Sequence, residues 1–370
     1  MTLILDRVDV KAHAEYSNHK TVLKIADTAS GLRAFIAVHD TTLGPALGGC
    51  RFWSGYNSED EALTDVLRLS RGMTYKNALA QLPLGGGKAV IMGQHGAVRP
   101  TREELLAFGQ AVEFLKGEYI TAEDVGVCVA DMQIIREVTE HVTGLPSQDA
   151  AITGGDPSPF TAYGVFLGIK AAVKHKLKKD TLENVRVAVS GLGHVGMDLC
   201  RRLHEEGAKL IVCDIRPEVT QRAVEKYNAM SWAAEEFIGL DVDVLAPCAL
   251  GGILNEDSIG RIKAPIIAGA ANNQLKRPEN GVMLHDAGIL YAPDYVINAG
   301  GVISVAMSGV PVSETNERLE ELEQTLAAIF RQSDRLNLPT FMVADKIAEK
   351  IIEEARSEQF TEGSVKAKSA

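Results

Sequence analysis

The stretch that most constrains this chain is Gly191-Leu-Gly193-His-Val-Gly196. It follows a valine-rich run, Val185-Arg-Val-Ala-Val-Ser190, and opens a helical pattern over Val195–Glu206. In a strand–turn–helix each of these glycines has a physical reason. Gly191 permits the tight turn, Gly193 lets the backbone approach a pyrophosphate, and Gly196 lets helix and strand pack closely. The helix start, around His194 and Val195, offers free N–H groups and the positive end of the helix dipole to phosphate. Asp214 ends the next strand, Leu210–Asp214, about 20 residues on, where a carboxylate accepts hydrogen bonds from the adenosine ribose. An acid there repels the additional phosphate of NADP, so the expected cofactor is NAD, with nearby Arg216 softening that choice. His194 reads as a solvent-facing loop position rather than a catalyst.

The surroundings extend the motif to a domain. Helix Pro217–Asn228 and strands Val242–Ala246, Pro265–Ala268 and Val296–Ile297 follow, with helical segments between them. Strands rich in Val and Ile that alternate with helices predict a parallel sheet covered on both faces. A chain of 370 residues suggests two or three domains at roughly 150 residues each. A Gly/Pro-rich stretch from Thr143 to Pro159 marks the boundary, and a helix from Phe160 to about Lys176 leads into the second domain. The tail reads as two helices, Glu314–Ser333 and Met342–Ala355, interrupted near Asn337–Pro339. From Phe341 on it either returns to the first domain or caps the second.

The first block is mixed α/β. Strand-like runs Thr21–Ala26 and Leu32–His39 precede a glycine-rich loop, Gly44-Pro-Ala-Leu-Gly-Gly49. Ser58 with Glu61, and Thr101 with Glu104, are helix-starting pairs. A second glycine loop, Leu84-Gly-Gly-Gly-Lys88, leads into the strand Ala89–Met92, and the short strand Tyr119–Ala122 ends in Glu123-Asp124. A lone lysine is ordinarily a solvated surface charge. Lys88, set between three glycines and an apolar strand, is instead placed where burial favours proton transfer near neutral pH.

Charge and cysteine usage exclude other classes. A net charge of −11 repels nucleic acid. The five cysteines are scattered without a C-x-x-C pair, which argues against a metal site or a disulfide framework. No apolar run approaches the ~20 residues of a membrane span. The N-terminus meets acidic charge after five residues and lacks a signal peptide's apolar core, so a cytoplasmic protein is expected.

Six segments in unbroken order carry a family likeness: Gly44–Gly49, Arg71-Gly-Met-Thr-Tyr-Lys-Asn77, Leu84–Lys88, Thr121-Ala-Glu-Asp-Val-Gly126, Ala246-Pro-Cys-Ala-Leu-Gly-Gly252 and Asn298-Ala-Gly-Gly-Val302. Over roughly residues 20–310 the chain resembles the glutamate/leucine/phenylalanine/valine dehydrogenases, and most of all their leucine branch. The resemblance implies two α/β domains with the active site in the cleft between them. One is a mixed substrate, catalytic and oligomerisation domain at 1–146 with the C-terminal helix at about 338–370. The other is a Rossmann-type NAD-binding domain at 147–337. It implies reversible oxidative deamination of an L-amino acid to a 2-oxo acid and ammonia with NAD, in a homo-oligomer.

By the same resemblance, Lys76 binds the substrate carboxylate, Lys88 is the general acid/base, and Asp124 exchanges protons with the amino group. Gly48 and Gly49 let the backbone approach the carboxylate. Asn273 and Asn272 lie near substrate and nicotinamide, Thr161 and Asn298 orient the nicotinamide, and Cys248 and Ala249 line the cofactor site. Leu47, Ala122, Val302 and Val305 line the side-chain pocket. None of these four side chains is charged or donates a hydrogen bond, so a glutamate side chain would be left unpaired there. A branched aliphatic substrate fits, and phenylalanine or tryptophan is the alternative. Cys50 departs from the leucine branch, which more often has threonine, and so does Ala-Met-Ser-Gly-Val-Pro after Val305, which replaces an acidic run. An inactive NAD-binding relative would need none of the lysine–aspartate machinery. A hydroxy-acid oxidoreductase would need a well-placed histidine, which the sequence does not offer.

Overall fold

The computed structural model describes residues 3–249 and 251–368; Leu250 of the Ala246–Gly252 segment lies outside them. The chain divides into two units. The first comprises Met1–Asp156, Ser304–Val312 and Ala348–Ala370, the second Pro157–Ile303 and Ser313–Ile347.

In the first unit six strands form one sheet: β1 (Leu3–Arg7), β2 (Thr21–Asp27), β3 (Arg33–Asp40), β4 (Ala46–Trp53), β5 (Gly85–Met92) and β6 (Tyr119–Glu123). Their order is β1-β2-β3-β5-β4-β6. The β1, β2, β3 and β5 neighbours run antiparallel, whereas β5, β4 and β6 run parallel. Helices α1 (Glu59–Leu79), α2 (Arg102–Phe114) and α3 (Val129–Arg136) accompany the sheet in the stretch up to Asp156. Strand periodicity sends alternate residues to opposite faces. Phe35, Ala37, Val90 and Met92 pack with Ala62, Val66 and Leu67 of α1 on one face, while Ala34, Ile36, Ala89 and Ile91 pack with Leu105 and Phe108 of α2 on the other.

Two of the expected loops are strand. Only Gly44-Pro45 of the first glycine segment is irregular, and all of Gly85–Gly87 belongs to β5. Glycine disfavours strands, so tertiary packing overrides local preference here. Helix α1 lies so close to β5 that a Cβ on Gly86 would fall 2.1 Å from the backbone nitrogen of Thr74. No side chain fits there, and α1 is seated directly on the strand. Asn77, fully buried on the same helix, donates from Nδ2 to Gly85 O at 2.6 Å and so joins helix to strand edge-on.

In the second unit α4 (Ser158–Leu177) precedes β7 (Arg186–Ser190), α5 (His194–Glu205), β8 (Lys209–Cys213), α6 (Pro217–Tyr227), β9 (Met230–Ser231), β10 (Val244–Pro247), α7 (Glu256–Ile259), β11 (Ile266–Ile267), α8 (Pro278–Asp286), β12 (Leu290–Tyr291) and α9 (Asp294–Ile297). The sheet is parallel throughout, ordered β12-β11-β10-β7-β8-β9. Counted from β7, that is the 3-2-1-4-5-6 order of a dinucleotide-binding fold, read from the other edge. The expected strand at Val296–Ile297 is instead part of helix α9, which starts after Pro293; the last strand is Leu290–Tyr291. A β-branched apolar pair has no periodicity to separate strand from helix. Helices α10 (Gly300–Ala306), α11 (Val312–Leu336) and α12 (Thr340–Lys368) follow. Helix α12 is shared between the units. Asp345 takes a hydrogen bond from Tyr295 in the second, while Glu349 takes one from Tyr75 and Arg356 pairs with Asp40 in the first.

A buried histidine pair underlies α1. His39 Nδ1 meets Thr74 Oγ1 at 2.8 Å, and its ring lies edge-on to His19, centroids 4.8 Å apart. Burial, then the His19 ring, depress His39 from 6.5 to about 4. The unfolded chain therefore binds a proton that the folded chain refuses between those two values. This stabilising contribution is complete above pH 6.5 and drains away as pH falls toward 4. Between pH 7 and 5 it amounts to ~2 kcal/mol. The pH dependence of denaturant-induced unfolding should become shallower by about that amount in His39→Gln; an unaltered slope would clear His39 as its source.

Candidate active site

Seating α1 on β5 determines what stands beside it. Lys88 follows the glycines on the α1 face of β5 and is buried, its side chain 7% exposed. Its Nζ lies 2.9 Å from Oδ2 of Asp124, the residue that follows β6. Asp124 can come this close because β4 carries glycine beside it: a Cβ on Gly49 would lie 2.8 Å from the Asp124 Cβ. Gly48 is equally crowded, by the Gly87 carbonyl and Met73. Both glycines thus have a packing reason in addition to the substrate role expected of them. Leu47 on β4 and Ala122 on β6 are buried in the same unit, and Lys76 is half-buried on the last turn of α1. Val305 belongs to this unit as well, its carbonyl accepting from Thr143 Oγ1 at 2.6 Å.

Sequence reasoning missed Arg51. It lies on β4, and its Nε donates to the same Asp124 Oδ2 at 3.2 Å. Burial alone would raise the Asp124 carboxyl, but the Lys88 charge and then that of Arg51 outweigh it and hold the group at about 2. Asp124 is therefore a fixed carboxylate. The signal in the sequence was an arginine inside an apolar strand, which must find an acid or stay unpaired. Which acid it finds is a matter of fold, because Asp124 arrives from another strand.

In the second unit the Gly191 loop joins β7 to α5 at the point where the strand order reverses. Gly191 has φ +89°, and a Cβ on Gly196 would fall 2.0 Å from the Gly191 carbonyl, so the turn closes only with glycine at both positions. Gly193 caps α5, with His194 and Val195 in its first turn. A free helix N-terminus over a closed glycine turn suits a pyrophosphate. Asp214 Oδ2 accepts from Leu192 N at 2.7 Å, and Arg216 reaches both carboxylate oxygens, at 2.9 and 3.1 Å. The Arg216 hydrogen bond is the main reason the carboxyl is held at about 2. Arg216 thus covers the acid assigned to the ribose, an arrangement its nearness in sequence only hinted at.

Of the remaining residues, Cys248 and Ala249 follow β10, and the Ala249 side chain lies against Gly191, 2.7 Å from where a Cβ there would sit. Burial pushes the Cys248 thiol up to about 12. Asn298 donates to Asn272 Oδ1 at 2.7 Å and to the Ala270 carbonyl at 3.1 Å, which brings two expected cofactor contacts together. Asn273 takes a left-handed conformation, φ +52°, and its carbonyl accepts from Gly252 N. Thr161 on α4 donates its hydroxyl back to Pro157 O at 3.1 Å, and Val302 is buried on α10.

Comparison with known proteins places the chain in a family. Residues 17–141 match the dimerisation domain of Glu/Leu/Phe/Val dehydrogenases, and residues 156–215 and 212–362 match the Glutamate/Leucine/Phenylalanine/Valine dehydrogenase domain. Leucine dehydrogenase of Geobacillus stearothermophilus is 51% identical over 348 residues, 93% of either chain. Valine dehydrogenase of Streptomyces virginiae is 43% identical over 93% of this chain and 96% of its own. Among solved structures, L-tryptophan dehydrogenase from Nostoc punctiforme superposes with a TM-score of 0.81 at 42% identity, covering 92% of this chain and 97% of its own. With the lysine–aspartate pair in one unit and the glycine turn in the other, the chain belongs to the glutamate/leucine/phenylalanine/valine dehydrogenase family of amino acid dehydrogenases.

Proposed function

We propose that this enzyme catalyses the reversible NAD-dependent oxidative deamination of a branched-chain L-amino acid (leucine, valine or isoleucine) to its 2-oxo acid and ammonia. The observation that carries the reading is the buried Lys88–Asp124 pair, 2.9 Å apart. A bound nicotinamide, oriented by Thr161 and Asn298, would supply the hydride acceptor for the substrate Cα. The chain's own groups do the rest. Lys76 anchors the substrate carboxylate and fixes the direction of approach. Asp124, ionised throughout the neutral range, accepts from the substrate amino group and holds Lys88 in reach. Lys88 takes a proton from the water that adds to the imine carbon and returns it to the departing ammonia. Apolar Leu47, Ala122, Val302 and Val305 suit an aliphatic side chain and leave a carboxylate unpaired. Relatives named for leucine and valine support that choice.

NAD is the favoured form because an acid at Asp214, expected at the adenosine ribose, would repel the additional phosphate of NADP. The match to a dimerisation domain supports a homo-oligomer. Among the described residues no helix is long and apolar enough to cross a membrane, and we place the enzyme in the cytoplasm, acting on small molecules without nucleic acid.

NADH formation across a panel of L-amino acids tests the substrate. Leucine, valine and isoleucine should overlap within roughly 10–200-fold in kcat/KM, since valine differs from the other two by one methylene, worth only ~1–3 kcal/mol, and leucine and isoleucine differ only in where they branch. Preference for tryptophan or phenylalanine would overturn the aliphatic assignment. Lys88→Ala should lose nearly all turnover while still quenching with NADH, and full activity would remove Lys88 from its role. In Asp214→Ala the freed Arg216 should shift the kcat/KM ratio toward NADP; an unchanged NAD:NADP ratio would show that the acid does not discriminate.

A further inference from the structure

The proton-handling pair has a third member that the reaction scheme does not use. Lys88 and Arg51 both bond to Oδ2 of Asp124, at 2.9 and 3.2 Å. Arg51 is itself tethered. Its Nη1 pairs with Asp65 Oδ2 on α1 at 3.0 Å, and the Tyr56 hydroxyl donates to that same oxygen at 2.5 Å. The arm Tyr56–Asp65–Arg51 thus runs from the loop before α1 to the catalytic carboxylate.

Its chemistry follows from the reaction. When Lys88 gives up its proton, Asp124 loses one of its two counter-cations. Burial and the nearby Glu123 carboxyl on β6 would then favour protonating it, while Tyr119 on β6 and Cys50 on β4, both kept neutral by burial, supply no charge in its place. A carboxylate with its charge unmatched in such a site would take up the proton meant for the substrate. A second lysine could not prevent this reliably, because lysine too can lose its proton when buried. A guanidinium does not deprotonate in proteins.

Resting on the proposed roles of Lys88 and Asp124, we propose that Arg51 is the positioning residue of this pair: it fixes Oδ2 and supplies the permanent charge that keeps Asp124 ionised while Lys88 passes its proton on. The Tyr56–Asp65 arm holds Arg51 at that post.

The test is the pH profile of kcat/KM in the full-length enzyme, with NADH binding and thermal unfolding measured on every variant. Arg51→Met should move the acid limb up by about one pH unit or more, the usual effect of an adjacent opposite charge on a carboxyl. Arg51→Lys keeps a charge that burial can remove, so it should move the limb by less than Arg51→Met without fully restoring it. Asp65→Asn unties the arm without removing the Arg51 charge. It should lower kcat by roughly 10- to 100-fold through misplacement, with the limb in place. A well-folded Arg51→Met with an unmoved limb overturns the proposal. Should Arg51→Met not fold, wild-type kcat in Asp65→Asn overturns it. Asp124→Asn separates the two levels: full turnover there removes the underlying reading, whatever the Arg51 variants do.

Discussion

The contact on which the first unit depends is that of a helix backbone against a strand backbone, Thr74 against Gly86, with no side chain between. Helix–strand packing through side chains keeps the two layers well apart. Here α1 comes down onto β5, and the consequences are local and chemical. The last turn of α1 carries Lys76, and Lys88 lies two positions beyond Gly86 on the same face of the strand. The cohesion comes from Val66, Leu67, Phe35 and Val90.

The electrostatics follow from the same arrangement. Burying a lysine is costly unless a charge answers it, and the answer is Asp124, admitted by the missing side chain of Gly49. Asp124 in turn is overmatched by two cations, so its charge is settled before any substrate arrives. The second unit uses the same device in a different place. Asp214 is held as an anion by Arg216 and a backbone N–H. In both units a carboxylate faces its expected ligand already organised by an arginine, and in both the arginine lies close to the motif that drew attention.

Much of this was legible in the sequence, and the remainder fails for identifiable reasons. The nucleotide turn could be read because its glycines, its strand and its helix are contiguous, so local spacing suffices. The helix starts at Ser58 and Thr101 were legible for the same reason, and Glu61 N and Glu104 N do bond those hydroxyls. The Gly85–Gly87 start of strand β5 was not, although Ala89–Met92 was, because a run of three glycines is read as a loop unless the partner that flattens it is known, and that partner is a helix backbone. Arg51 was invisible as a functional residue because its two acids come from α1 and from beyond β6. The shared oxygen of Asp124 is a fact of tertiary structure. Val296–Ile297 failed for lack of periodicity in so short a run.

The crowded glycines also bear on how a family of this kind can diversify. At Gly48, Gly49 and Gly86 any added carbon meets a main-chain atom or the base of a fixed side chain, so drift by substitution is closed at those positions. They act as a rigid last on which the enzyme is shaped. Relatives named for leucine, valine and tryptophan retain between 42% and 51% identity with this chain. A change of substrate within such a frame has to be made by neighbours that carry side chains. Leu47 sits one residue from Gly48, and Ala122 lies opposite Gly49 in the strand register. New specificities would then arise by altering a few apolar volumes around an unchanged proton path, which lets selection change what is oxidised without having to rediscover how.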